Sequence, residues 1–212
     1  MRRQQILLVL AAAVLLLGAA AWLWQRKAVA LQRRYDPIIV PIAARLGVDP
    51  LLVRAIIWRE SRFDPRARGL KEERGLMQVT PGVAAEWAQI HRLSPIDPDL
   101  LYEPAVNIAI GSWYFARMLH HWNGADRPEA FALAEYNAGR SNVLRWVDPA
   151  KPLDAGAMEP RITYKATRRY VDTILSRYAE YRSGYFRPPW LSFWDRLFRP
   201  SDAPVLAPPA AS

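Results

Sequence analysis

The chain has 212 residues, is 51% apolar, and carries 29 Lys+Arg against 20 Asp+Glu with no cysteine. That length predicts one domain of ordinary size plus tails, and a core of roughly 150 residues buries about two-thirds of its surface without a disulfide or metal to hold it. The missing cysteines exclude a disulfide framework, thiolate zinc sites, iron–sulfur clusters and a thiol nucleophile. The histidines are His91, His120 and His121, and the adjacent pair diverges by about 100° on a helix, so no His-rich metal site is expected. The net charge of +9 is unevenly placed: residues 35–185 hold 20 basic and 18 acidic residues, the flanks 9 and 2. A nearly balanced centre excludes a dedicated nucleic-acid face.

In chain order, residues 1–5 form a short basic N-terminus. Ile6 to Trp24 is then a run of 19 residues without a charged or strongly polar side chain. As a helix it spans roughly 28 Å, close to a bilayer's hydrocarbon core. Arg2, Arg3, Arg26, Lys27, Arg33 and Arg34 bracket it, and Trp22 and Trp24 close it at interface depth. The reading is a single-pass signal-anchor at 6–24 with a cytoplasmic N-terminus, a basic linker over 25–34, and the domain outside the cytoplasm. A cleaved signal peptide is the alternative: Ala28-Val29-Ala30 offers a small-residue site, but Arg26 and Lys27 stand just before it.

Helix signals follow, and no sustained strand alternation. Asp49-Pro50 pairs an N-cap with a first-turn proline and opens Leu51–Glu60. Thr80-Pro81 repeats the device before Val83–Ile90, and Glu103-Pro104 leads into Ala105–His121. Pro128 opens a segment ending near Asn137, with Gly139 to stop it, and a last helix covers Thr167–Tyr181. Loops are expected at 62–74, 94–102 and 147–163, giving an all-α domain over 35–185 with six or seven helices. Residues 186–212 form a tail. Its Trp190, Phe193, Trp194, Leu197 and Phe198 make an aromatic stripe at helical spacing, suited to a membrane interface or to the domain's own surface. Beyond it the chain is Pro/Ala-rich.

Glu60 is the informative position. Val53, Ile56 and Ile57 form an apolar stripe, and Glu60 is the next member of that i, i+3, i+4, i+7 series. A carboxyl thus continues an inward face at a helix C-terminus, where both desolvation and the dipole favour its neutral form. A neutral carboxylic acid near pH 7 suits general-acid cleavage of a glycosidic bond. A helix-end Glu that reaches water or pairs with Arg59 or Arg62 is the plainer reading of the periodicity.

Neighbouring motifs decide between them. Glu60-Ser61-Arg62-Phe63 is followed by Gly75-Leu76-Met77-Gln78, then Glu135-Tyr136-Asn137-Ala138-Gly139, then Thr167-Arg168-Arg169-Tyr170-Val171. Over roughly residues 36–182 this order resembles the catalytic domain of soluble-type (SLT) lytic transglycosylases, related to goose-type lysozyme. The resemblance implies a lysozyme-like helical fold with Glu60 as the single catalytic acid. It implies Gly75, Met77 and Gln78 lining a sugar groove, Tyr136 and Asn137 facing the acid and the N-acetyl sugar, and Tyr170 near the reaction centre. Ser61 and Phe63 are expected to shape the turn, and Leu76 and Met77 have side chains of core type.

The implied substrate is the glycan strand of peptidoglycan, cleaved without hydrolysis at the β-1,4 bond after N-acetylmuramic acid to leave a 1,6-anhydro end. No cofactor or metal is implied, and the implied location is the inner membrane with the domain in the periplasm. The pattern is broken where Gly69 and Glu72 stand for a frequent Ser and Gly, and where Glu135 replaces a small residue. A hydrolytic lysozyme-type enzyme would want a second acid, for which Asp64, Glu73 and Glu135 are the local candidates. An idle peptidoglycan-binding module is a further alternative. Trp58, Trp87, Trp113 and Trp146 are expected in the core rather than as sugar platforms.

Overall fold

A computed structural model describes residues 2–184, so the aromatic stripe at 190–198 and the Pro/Ala-rich tail lie outside the described residues. The chain divides after Arg34. Before it stands α1 (Arg2–Arg33), the described helix that is long and apolar enough to cross a membrane. α1 extends through 25–33, within the stretch expected as a basic linker: Gln25 to Arg33 contains no glycine or proline to end it.

The unit that begins at Tyr35 is built from helices, and among the described residues the extended pairing amounts to isolated bridges, as at Arg68–Arg74. It comprises α2 (Asp36–Leu46), α3 (Pro50–Ser61), α4 (Pro81–Ile90), α5 (Pro104–His121), α6 (Pro128–Ala138), α7 (Arg140–Trp146), the single turn α8 (Ala155–Met158) and α9 (Lys165–Arg182). Two 3-10 turns, Pro98–Tyr102 and Glu159–Arg161, occupy parts of the expected loops. The helix count exceeds expectation because short elements carry weak signals. α2 includes Pro37 in its first turn, where no helical N–H bond is lost, and Pro41 inside the helix, where one backbone bond is given up.

Several starts follow the local chemistry. Asp49 accepts from Leu51 N at 2.8 Å ahead of Pro50, and Thr80 Oγ1 accepts from Val83 N at 3.3 Å ahead of Pro81. α3 packs against α9, α5 against α6 and α2, and α6 against α9. Ile39, Ile56, Ile57, Phe115 and Phe131 are fully buried between them, each contributing about 1.5–3 kcal/mol of burial. Within α6, Ala130 to Glu135 are all buried, so this helix runs through the middle of the core.

The four tryptophans divide. Trp146 is in the core. Trp58 and Trp87 are half-buried against it, and Trp58 lies between the guanidinium groups of Arg62 at 3.7 Å and Arg177 at 4.0 Å. Trp113 is half-buried beneath Arg117 at 4.9 Å, outside the expected core placement.

Candidate active site

The site is built from the end of α3, the loop over 62–79, the end of α6 and the first half of α9. Val53, Ile56 and Ile57 are fully buried, so the stripe seen in the sequence does face inward. Glu60 ends it half-buried. Its Oε1 accepts from the Tyr170 hydroxyl at 2.5 Å, while Oε2 makes no hydrogen bond among the described residues. Burial pushes the Glu60 carboxyl up to about 7; the Tyr170 hydrogen bond and the Arg59 charge pull it down, and the Glu73 charge adds to the rise. Arg59 forms no ion pair with it but sits over the Tyr170 ring at 5.4 Å, and Arg62 sits over Trp58. Burial also raises the Tyr170 and Tyr136 hydroxyls well above their ordinary value, so both stay proton donors.

α3 cannot continue past Ser61, because Arg62 and Phe63 both adopt positive φ, 54° and 65°. Such non-glycine positions cost of order 1–3 kcal/mol each and need surrounding structure to hold them. Phe63 supplies part of it by burial. Ser61 supplies another part: its hydroxyl bonds Ile57 O at 3.1 Å and Leu76 O at 2.9 Å, tying the helix end to the loop. Both residues thus shape the turn.

The loop is held from beneath by Asn107 of α5, which is fully buried. Its Oδ1 accepts from Met77 N at 2.7 Å, and its Nδ2 donates to Arg74 O and Leu101 O, each at 2.7 Å. Gly75 has φ 74°, and a Cβ there would lie 2.3 Å from Leu101 O and 2.4 Å from Asn107 Nδ2. The close approach expected for a ligand is therefore made to the protein's own backbone. Met77 is fully buried against Gly111, and its carbonyl accepts from the Tyr136 hydroxyl at 2.8 Å. Its side chain belongs to the core, and only its backbone serves the loop surface.

Gln78, at φ 50°, spends its Nε2 on Ala67 O at 3.2 Å and Gly75 O at 2.8 Å, leaving its amide oxygen as the group it can offer. Tyr136 and Asn137 end α6. Tyr136 is half-buried with its ring against Tyr114 and Phe115. Asn137 is exposed, and its Oδ1 accepts from the buried Thr167 hydroxyl at 2.7 Å, which leaves the amide N–H groups outward. Of the two tyrosines expected beside a carboxyl, Tyr170 donates to Glu60, whereas Tyr136 donates to Met77 O and feels Glu60 through its charge. Asn107 and Thr167 were missed as supporting residues. Thr167 lay inside a quoted motif, but Asn107 had no local signal.

The other acids separate. Glu135 is 4% exposed, and both oxygens are occupied, by His121 Nδ1 at 2.9 Å and Trp122 Nε1 at 2.7 Å. That removes it as a second acid, since a carboxylate so bound is held in the structure. Asp64 is exposed and caps the turn at Arg66 N, 2.9 Å. Glu73 alone of the three acts on Glu60.

A helical core holding one raised carboxyl beside a short-range tyrosine donor and a pinned loop defines a lysozyme-like domain. Residues 38–157 match the family model for the transglycosylase SLT domain, more than half of the chain, and the chain belongs to that family. It is 30% identical over 165 residues to the soluble lytic murein transglycosylase of Salmonella typhimurium, covering 77% of this chain and 25% of that protein. It is also 30% identical over 159 residues to membrane-bound lytic murein transglycosylase F of Desulfosudis oleivorans, covering 73% and 32%.

Among solved structures, an inactive variant of the lytic transglycosylase Slt from Pseudomonas aeruginosa superposes with a TM-score of 0.65 at 27% identity, over 74% of this chain and 25% of that one. A 70-kDa soluble lytic transglycosylase in complex with bulgecin A superposes with a TM-score of 0.64 at 25% identity, over 75% and 26%. The chain thus spans between a quarter and a third of the length of these relatives.

Proposed function

We propose that this chain is a membrane-anchored lytic transglycosylase that cleaves the β-1,4 bond between N-acetylmuramic acid and N-acetylglucosamine in peptidoglycan and leaves a 1,6-anhydro-muramyl end. The observation that carries the reading is Glu60: a half-buried carboxyl raised to about 7, held on one oxygen by Tyr170 and open on the other. Near neutrality about half of it is protonated, the state a general acid requires.

In the first step Glu60 gives its proton to the leaving glycosidic oxygen as positive charge grows at the muramyl C1. The sugar's own acetamido group assists, one of the exceptions to the two-carboxylate rule. Glu60, now a carboxylate stabilised by the Tyr170 hydroxyl and the Arg59 charge, then takes the proton of the muramyl 6-hydroxyl. That oxygen closes onto C1. Donor and acceptor of the proton are one residue, so the scheme needs no second acid. The outward amide of Asn137, the oxygen of Gln78 and the ring of Tyr136 bind the sugar, while Gly75 and Met77 shape the groove floor through their backbone. α1 anchors the chain in the inner membrane by a single pass, with the domain in the periplasm.

Incubating the full-length chain in detergent with purified peptidoglycan and weighing the released fragments tests this. Anhydro-ended fragments are expected. Fragments heavier by one water, with reducing ends, would mark a hydrolytic lysozyme-type enzyme instead, and the charge of Glu73 near Glu60 is the observation that favours that second reading. Binding without any release would mark an idle module.

A further inference from the structure

Thr167 and Tyr170 stand three residues apart on one face of α9, and both are buried. Side chains at that spacing start about 5–6 Å from one another. Tyr170 donates to Glu60 Oε1, and Thr167 donates to Asn137 Oδ1 at 2.7 Å. One helix face thus ties the end of α3, with its carboxyl, and the end of α6, with its amide, to neighbouring positions.

The Thr167 bond has a direction. The residue is 2% exposed, and its hydroxyl bonds no other acceptor among the described residues, so its proton goes to Asn137 Oδ1. An amide turned the other way would meet the hydroxyl with Nδ2 and leave that proton buried without a partner. Asn137 itself is exposed, and its Nδ2 makes no hydrogen bond among the described residues. Gln78 is fixed in the opposite sense: its N–H groups are held by Ala67 O and Gly75 O, and its oxygen is left over.

We propose that Thr167 is a positioning residue that sets the polarity of the Asn137 amide, so that this position offers the glycan strand N–H donors alone. A sugar hydroxyl both donates and accepts, and it pairs with an amide in either orientation. A carbonyl oxygen only accepts, and an ammonium only donates, so these two groups feel the difference. Held by Thr167, Asn137 selects the carbonyl of an acetamido group over the ammonium of a sugar that has lost its acetyl group. The Thr167 hydroxyl acts through Asn137 and touches no substrate. The inference rests on the reading of this surface as the glycan groove, but its test needs binding and no cleavage, so the two fail separately.

The full-length Glu60→Gln chain in detergent is titrated at pH 5.5 with N-acetylglucosamine hexamer and with glucosamine hexamer, whose amines are protonated at that pH. The expected result is about tenfold tighter binding of the acetylated hexamer. Adding Thr167→Val keeps the branched shape and removes the hydroxyl, and the ratio should fall close to one. Adding Thr167→Ser instead keeps the donor and preserves the ratio. Adding Asn137→Asp leaves an oxygen for Thr167 but turns a second oxygen outward, and the preference should reverse toward glucosamine hexamer. A purely structural role for Thr167 would weaken both hexamers together and leave their ratio unchanged. That outcome, no initial preference, loss of the ratio in Thr167→Ser, or an acetylated preference that survives Asn137→Asp overturns the proposal. Circular dichroism of each variant establishes that it is folded.

Discussion

Glu60 and Glu135 are both carboxyl groups carried on core helices, and their surroundings differ in what they leave free. Glu135 is nearly inaccessible and gives both oxygens to N–H donors from consecutive residues, His121 and Trp122. It links the end of α5 to the middle of α6. Glu60 is less deeply placed yet has one donor, a neutral hydroxyl, and an oxygen left over. Depth alone therefore does not make a group available for chemistry. The number and charge of its donors decide whether the carboxyl is fixed in the structure or kept ready to exchange a proton.

The strongest test of that contrast is Glu60→Gln. Removing the proposed acid should lower cleavage by about a thousandfold, measured by fragment release from peptidoglycan, while glycan binding persists. Glu135→Ala should act on stability instead. It strands the buried Trp122 N–H and takes away the partner of the more exposed His121, and costs about 3 kcal/mol, read as a melting temperature lower by roughly 10 °C in detergent. If Glu135→Ala instead abolished cleavage in chain that remained fully folded, the contrast would be wrong.

Smaller effects sharpen it. Glu60 has a folded pKa near 7, above its ordinary 4.5. An acid with a raised pKa contributes stability that is complete below pH 4.5 and is lost as pH rises through 7. Glu60→Gln stays neutral, so relative to the unaltered chain it should gain on the order of 2 kcal/mol at pH 9 and nothing at pH 4. Denaturant titrations at the two pH values measure this. The smallest change expected is for Tyr170→Phe. Its hydrogen bond lowers the Glu60 pKa, so its loss should move the alkaline limb of the pH–rate profile above 7, with about a tenfold fall in kcat.

The parts of this arrangement that were legible in the sequence are those fixed by local chemistry. Asp49-Pro50 and Thr80-Pro81 mark helix starts because cap and proline act within one turn. The inward direction of Glu60 follows from its spacing after Val53, Ile56 and Ile57. What was not legible depends on distant partners. Asn107 sits inside α5, where its sequence context is that of any polar helix residue, and its contacts are with residues 74 and 77. Gln78 was expected to line a sugar groove, and the loop's own carbonyls take its amide N–H groups, a consequence of its positive φ and of where Ala67 falls. Gly75 was expected to serve a ligand, and its necessity comes from Leu101 and Asn107.

The Asn107 hub also bears on the order of events when the chain folds. The helices form from contacts within a few residues, but the groove loop acquires its shape when α5 delivers one amide across a separation of some thirty positions. Closing such a span costs entropy before it is rewarded. A refolding chain should thus regain its helical signal ahead of its capacity to hold a sugar, and Asn107→Ala should widen the interval between the two.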